Sequence, residues 1–248
     1  MAMPDIVTRD EWTQARKALL EDEKDLTRRR DAINAERRRL PMVEIDKDYE
    51  FQGRTGSASL LELFDGRRQL MVGHFMFNPD WEDGCPSCTA GADEVSQGLL
   101  DHLHNRDTTL AYVSRAPIEK IERYKRKKGW TFPWYSSFGS DFNYDFHVTL
   151  DASVEPMEYN YRNAEEHEAA GTSYYLEGEQ PIEEPGTSCF LRDGDRVFHT
   201  YSVYARGAEW FGGSYAYLDL TALGRQEDWE EPKGRTDDAR RANPDMQA

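Results

Sequence analysis

Cysteine is scarce in this sequence: three residues in 248, at positions 85, 88 and 189. So few cannot build a disulfide scaffold for a chain of this length, and a reducing cytoplasm is the expected setting. Positive charge is also in deficit, with 31 Lys and Arg against 47 Asp and Glu and a formal net charge of −16. Nucleic acid and anionic lipid are bound by cations that neutralise phosphate, so neither is an expected partner. No run approaches the roughly 18 apolar residues that span a bilayer. Met1 to Trp12 lacks a basic stretch followed by an apolar one, so no secretory signal is expected. Gly-rich phosphate loops, G-x-S-x-G and H-E-x-x-H are missing as well, which removes support for nucleotide, serine-hydrolase and zincin chemistry.

What is present falls into three parts. Residues 1–40 are expected to form a helical arm. Thr8 and Glu11 make a T-x-x-E capping box, and Pro41 ends the helical pattern. Trp12, Leu19, Leu26, Ile33 and Leu40 recur every seven residues as a single apolar row, narrower than a coiled-coil seam. Such a helix either lies along the surface of its own domain or packs on a second subunit as a homodimer. Residues 41–222 read as one α/β domain. Strands are predicted at Tyr49–Gln52, Gln69–Phe77, Thr108–Ser114, Phe146–Leu150, Thr187–Arg192 and Arg196–Tyr204. Helices are predicted at Ser59–Phe64, Pro86–His104 and Pro117–Lys128. Asp193-Gly194 supplies a hairpin turn. The strand–helix–strand spacing argues for parallel strands with right-handed crossovers. Glu155–Pro185 is acidic and weakly patterned, and reads as an irregular insertion. Residues 223–248 are charged, without apolar period, and read as a disordered tail.

The chemistry concentrates in His74-Phe75-Met76-Phe77-Asn78-Pro79-Asp80-Trp81-Glu82-Asp83-Gly84-Cys85-Pro86-Ser87-Cys88. A buried strand enters a loop, and Cys85 opens a helix with Pro86 in its first turn. Unpaired N–H groups and the positive end of the helix dipole favour a thiolate at Cys85. Cys88, one turn on, is placed to attack a mixed disulfide. The division of labour is Cys85 as nucleophile and Cys88 as resolving thiol; a structural pair is the alternative. Glu82 and Asp83 oppose this if they point at the sulfur, because their charge would raise the thiol pKa. A metal site is the weakest reading: four ligands are wanted, and no second paired motif accompanies the cysteines.

The segments HFMFNPDWEDGCPSC, VSRAPIEKIERYKRKKGWTFPWYSSFGSDFNYDF, VFHTYSVYARG and YLDLTALGR resemble the bacterial family known as domain of unknown function 899, over roughly residues 10–226. The resemblance implies a thioredoxin-like central mixed sheet flanked by helices, and a dithiol–disulfide oxidoreductase; no organic cofactor or metal is expected. Against thioredoxins in general, Cys85 and Cys88 fall on the redox pair and Trp81 near the tryptophan that precedes it. His74 falls near the buried acid beneath the pair, where it would shuttle the Cys88 proton unless it is a satisfied core histidine. Gly186 falls where thioredoxins carry a cis-proline, with Pro185 one residue early. The peroxiredoxin pattern P-x-x-x-T-x-x-C is absent.

The candidate substrate-binding residues are Trp81, Pro86, Arg115, Trp130, Trp134, Gly186 and Thr187. Trp130–Phe146 is rich in aromatics that either line a pocket or pack a core. Arg115 follows a strand at the end where α/β folds bind ligands; it holds a carboxylate or a thiolate, or else forms a surface ion pair. Cys189 reads as a small hydrophobe. The leading expectation is an oxidoreductase acting on protein or small-molecule thiols and disulfides. Its rival is a non-enzymatic binding module on the same fold.

Overall fold

The capping box predicted at the amino terminus forms: the Thr8 hydroxyl accepts the Glu11 N–H at 3.3 Å, and the Glu11 carboxylate accepts the Thr8 N–H at 2.9 Å. It opens α1 (Arg9–Arg37), which ends three residues before the predicted Leu40, in a turn ahead of Pro41. None of its residues is buried, and Trp12, Leu19, Leu26 and Ile33 stand exposed. These features come from a computed structural model, which describes residues 3–211, 213–227 and 229–234. Residues 42–216 make one compact unit; residues 3–41 together with 217–227 and 229–234 make another. Of the predicted tail, residues 228 and 235–248 lie outside the described residues.

Along the chain after α1 come β1 (Val43–Glu44), β2 (Glu50–Gly53), β3 (Gly56–Ser59), β4 (Gln69–His74), α2 (Pro86–Asp93) and α3 (Gln97–His104). Then follow β5 (Thr108–Ser114), α4 (Ile118–Lys128), β6 (Trp134–Ser136), α5 (Phe142–Asp145), β7 (Thr149–Leu150), β8 (Glu158–Tyr159) and β9 (Arg162–Asn163). The series closes with α6 (Ala164–Ala170), β10 (Ile182–Glu183), β11 (Gly186–Asp193), β12 (Arg196–Tyr204) and α7 (Ser214–Leu218). Eight strands form one mixed sheet in the order β1-β12-β11-β4-β5-β6-β2-β3. β4, β5 and β6 are parallel, joined by α2–α3 and by α4, whereas β11 lies antiparallel to β4 and β12 antiparallel to β11. Gly194, at φ +60°, turns the β11–β12 hairpin. A βαβαβ unit flanked on its other side by an antiparallel hairpin is the thioredoxin-like α/β arrangement.

Three predicted elements differ. The helix expected over Pro86–His104 is two, because Ser96 prefers a cap to a helix interior: its hydroxyl accepts the Leu99 N–H at 3.2 Å and starts α3 afresh. The strand expected at Phe146–Leu150 is reduced to β7, since α5 precedes it and His147 turns at φ +50°. Ser59 closes β3, and only Glu62–Phe64 coil, as one tight turn. The supposed insertion Glu155–Pro185 is ordered, with β8, β9, α6 and β10. Tyr159 and His167 are fully buried in it, and the His167 ring bonds the Tyr159 carbonyl (3.0 Å) and the Thr172 hydroxyl (2.8 Å).

Alternation along β4 divides the core. Leu70 and Val72 join Phe142, Phe146 and Phe190 on one face of the sheet. Phe75 and Phe77, just beyond the strand, join Tyr124, Phe132 and Trp134 on the other, together with half-buried Cys88.

Candidate active site

The loop that follows β4 folds back on itself. Asn78 accepts the Asp80 N–H at 2.9 Å through its side chain and the Trp81 N–H at 3.0 Å through its carbonyl, forming a turn. The chain then returns, so that the Cys85 N–H donates to the Met76 carbonyl at 2.9 Å. Gly84 is required at that return: a Cβ there would lie 2.5 Å from the Phe75 ring. Cys85 is the cap residue of α2, with Pro86 at the first helical position. Its carbonyl accepts the Thr89 N–H (2.9 Å) and the Thr89 hydroxyl (2.8 Å), and the Tyr124 hydroxyl in turn donates to Thr89 at 2.9 Å.

The two thiols are free and differ sharply in character. The Cys88 thiol donates to the Cys85 sulfur, as do the N–H groups of Cys88 and Ser87 and the Ser87 hydroxyl. Together they overcome partial burial and bring Cys85 down to about 6. Cys88 moves the opposite way, pushed far above the ordinary thiol range by Cys85 and by its own burial. The acidic pair before the motif does not oppose this. Glu82 is bound by Arg123 (2.9 Å) and Asp83 by Lys127 (2.7 Å), while the Lys120 ammonium donates to the Pro79 and Trp81 carbonyls at 2.7 and 2.9 Å. Positions 120, 123 and 127 lie on one face of α4, so one basic stripe neutralises the loop and fastens it.

Of the predicted substrate-binding residues, Trp81 is exposed, and so is Pro86, which follows Cys85 directly. Others need correction. Trp134, 2% exposed, is core, and its indole N–H donates to the Ser114 hydroxyl at 3.0 Å. Trp130 packs on Phe75, Tyr124 and Phe132, with its N–H on Asp93. Gly186 and Thr187 are buried within β11, opposite His74 and Gly73. The aromatic segment is therefore mainly packing. Arg115 is neither a free anion site nor a surface pair: its guanidinium grips the Glu183 carboxylate at 2.6 Å, with side chains 13% and 2% exposed, and bonds the Tyr144 hydroxyl at 3.1 Å. Thr149 and Asn78 also donate to Glu183, at 2.8 and 3.3 Å.

His74 is likewise a core histidine. It packs on Phe142 and Phe146, on the sheet face away from Cys88. Burial lowers its pKa to about 3, which keeps it neutral. Its Nε2 is 2.8 Å from the Ser188 hydroxyl, which continues at 2.8 Å to Ser202 and at 2.8 Å to His199. The titratable neighbour that sequence reasoning missed is Glu184. Burial raises its carboxyl to about 7, with the Tyr159 hydroxyl lowering it and the Cys85 charge raising it; Glu184 also acts on Cys88. The available signal was its position, two residues before the strand that pairs with β4.

A family model described as "Bacterial protein of unknown function (DUF899)" matches residues 1–243. The chain belongs to this family. No curated protein matches the sequence. Among solved structures, the chain is similar to the bacterioferritin comigratory protein of Xanthomonas campestris, whose title concerns alkyl peroxide reduction. Identity is 14%, the TM-score 0.40, and 64% of this chain and 82% of that one are covered. Peroxidoxin BcpB from Mycobacterium tuberculosis is similar at 14% identity and a TM-score of 0.40, over 68% and 92% of the two chains. In this chain the paired thiols stand at a helix start, and among the described residues no helix is long and apolar enough to cross a membrane.

Proposed function

We propose that this protein is a thiol–disulfide oxidoreductase in which Cys85 attacks and Cys88 resolves. The observation that carries the reading is the opposite displacement of the two thiols across one hydrogen bond: Cys85 held down to about 6, Cys88 held protonated. A thiolate near ambient pH combines high population with retained nucleophilicity. Cys85 thiolate attacks one sulfur of a substrate disulfide, forming a mixed disulfide and expelling the other sulfur as a thiolate. Cys88, deprotonated, then attacks Cys85; the protein disulfide forms, and the second substrate thiol leaves. Two electrons pass from the protein to the substrate, and a thiol reductant of the reducing compartment restores the pair. No organic cofactor enters the balance. Trp81 and Pro86 offer the exposed surface for the incoming disulfide, which belongs to a protein or a small molecule.

The test is a redox titration of the purified protein, reading the Cys85–Cys88 state by alkylation and mass. A reversible two-electron transition in the span from about −300 to −120 mV, where exchange proteins fall, is expected, and Cys85→Ser should abolish exchange with little loss of fold. A pair that never bridges, or bridges only irreversibly, overturns the reading in favour of a binding module with structural cysteines.

A further inference from the structure

We infer that α1 is a self-association surface, on which two copies of this chain pair antiparallel about a two-fold axis at Leu26. The inference stands apart from the thiol chemistry and does not rest on it. The helix has 29 residues, none of them buried, and is about 43 Å long. Trp12, Leu19, Leu26 and Ile33 form its apolar row, and all four stand exposed. An amphipathic helix draws most of its stability from a face packed on something. The charges beside the row identify the occupant.

On a helix, residues three and four places after each member of the row lie on its two flanks. Asp22 and Arg29 stand on the first flank, Glu23 and Arg30 on the second. Each flank therefore carries an acid before Leu26 and a base after it. The ion pairs inside the helix join Arg16 to Glu23 (2.6 Å), Lys24 to Glu21 (2.9 Å) and Arg28 to Asp25; Asp22 and Arg29 take part in none of these.

A two-fold axis perpendicular to both helices reverses one copy and keeps each flank on its own side. With Leu26 on that axis, it meets Leu26 of the second copy, and Leu19 meets Ile33. Asp22 then faces Arg29 of the second copy along one flank, and Glu23 faces Arg30 along the other; the axis repeats both contacts. The competing arrangements fail on charge. Parallel helices in register set Asp22 against Glu23 and Arg29 against Arg30. An antiparallel pair slipped by one heptad sets Glu23 against Glu23 or, in the other direction, Arg30 against Arg30. Flanking charges set partner and orientation in paired helices, and of these arrangements the Leu26-centred antiparallel one alone brings acid to base.

Sedimentation equilibrium of the reduced full chain over a range of concentrations reads the association, and the wild type should follow a monomer–dimer equilibrium. Leu26→Glu sets like charges on the axis and should raise the dissociation constant more than about 10-fold. The position is exposed and glutamate is a good helix former, so the fold should be kept. Asp22→Arg should raise the constant about 3- to 30-fold, and adding Arg29→Asp should return it to within about 3-fold of the wild type. A parallel pair would instead be tightened by Asp22→Arg. Oxidative cross-linking reads the orientation in a chain whose Cys85, Cys88 and Cys189 are replaced by serine. Leu26→Cys should bridge two copies there, and Leu19→Cys should not, because the antiparallel register holds the two Leu19 positions about 21 Å apart. A chain that stays monomeric at every concentration overturns the inference and leaves the row to its own chain or to a different partner. A dimer unchanged by Leu26→Glu, or one that bridges through both positions or through neither, overturns it as well.

Discussion

The two faces of the central sheet each carry a hydrogen-bonded polar set under aromatic cover, yet only one faces reactive sulfur. On the cysteine face, Thr89 and Tyr124 brace the cap of α2, and α4 clamps the loop before it. On the other face, His74, Ser188, Ser202 and His199 link β4, β11 and β12 at 2.8 Å spacings. The comparison teaches that adjacency in sequence is weak evidence for adjacency in chemistry. His74 and Phe75 are neighbours, and the two-residue period of the strand sends them to opposite sides. A histidine that looks like a proton shuttle in the motif is thereby a neutral core group.

The largest expected effect comes at the ion pair beside the loop. Arg115→Met leaves the Glu183 carboxylate, 2% exposed, without its cation, and should cost about 3–5 kcal/mol in denaturant unfolding. Phe146→Ala, on the histidine face, should cost about 3–4 kcal/mol while the Cys85 alkylation profile keeps its inflection near 6. A moved inflection would break the independence of the two faces. His74→Leu removes one of the two partners of the Ser188 hydroxyl, leaving it Ser202, and should cost about 1–3 kcal/mol, with the rate of disulfide reaction unaltered.

A smaller signature is the pH dependence of stability. The folded pKa of Cys85 lies near 6, below the ordinary thiol value of 9.0. The stability it contributes to the reduced protein is complete above the unfolded value and lost as pH falls through 6. Cys85→Ser should remove that component from unfolding curves of the reduced protein. Glu184 has the opposite sign: raised from 4.5 to about 7, it lets stability decline as pH rises from 4.5 to 7, a component absent in Glu184→Gln. The smallest effect belongs to the α4 stripe. Arg123→Gln with Lys127→Gln should change stability by less than about 1 kcal/mol per pair, because both pairs are exposed. Their loss frees the charges of Glu82 and Asp83, so the Cys85 inflection should move upward, and high salt should mimic the change in the wild type.

Much of the fold was legible because its signals are local. Thr8 and Glu11 announce the start of α1, the apolar run from Gln69 announces a strand buried on both faces, and Asp193-Gly194 announces a hairpin. The cysteine pair was legible for the same reason: a strand, a loop and a proline one residue into a helix are all read within twenty residues. Local signals failed where two competed. Ser96 reads as one more helical residue until its hydroxyl is seen to cap, and Tyr159 and His167 read as loop until their burial is seen. Trp134 illustrates the same limit, since an aromatic in a pocket and one in a core have the same sequence.

By itself, then, the sequence determined the helix that carries Cys85 and Cys88, the strand that delivers it, and the acidic excess of the chain. Tertiary structure alone decided which carboxylates meet a cation. Glu82 and Asp83 are close in the chain and are taken up by Arg123 and Lys127; Glu183 is taken up by Arg115; Glu184 is raised by burial, with Tyr159 lowering it. The physical reason is that backbone preference and apolar periodicity act over a few residues, whereas a charge responds to whatever the fold brings within a few ångströms, and the register of β11 on β4 sets that.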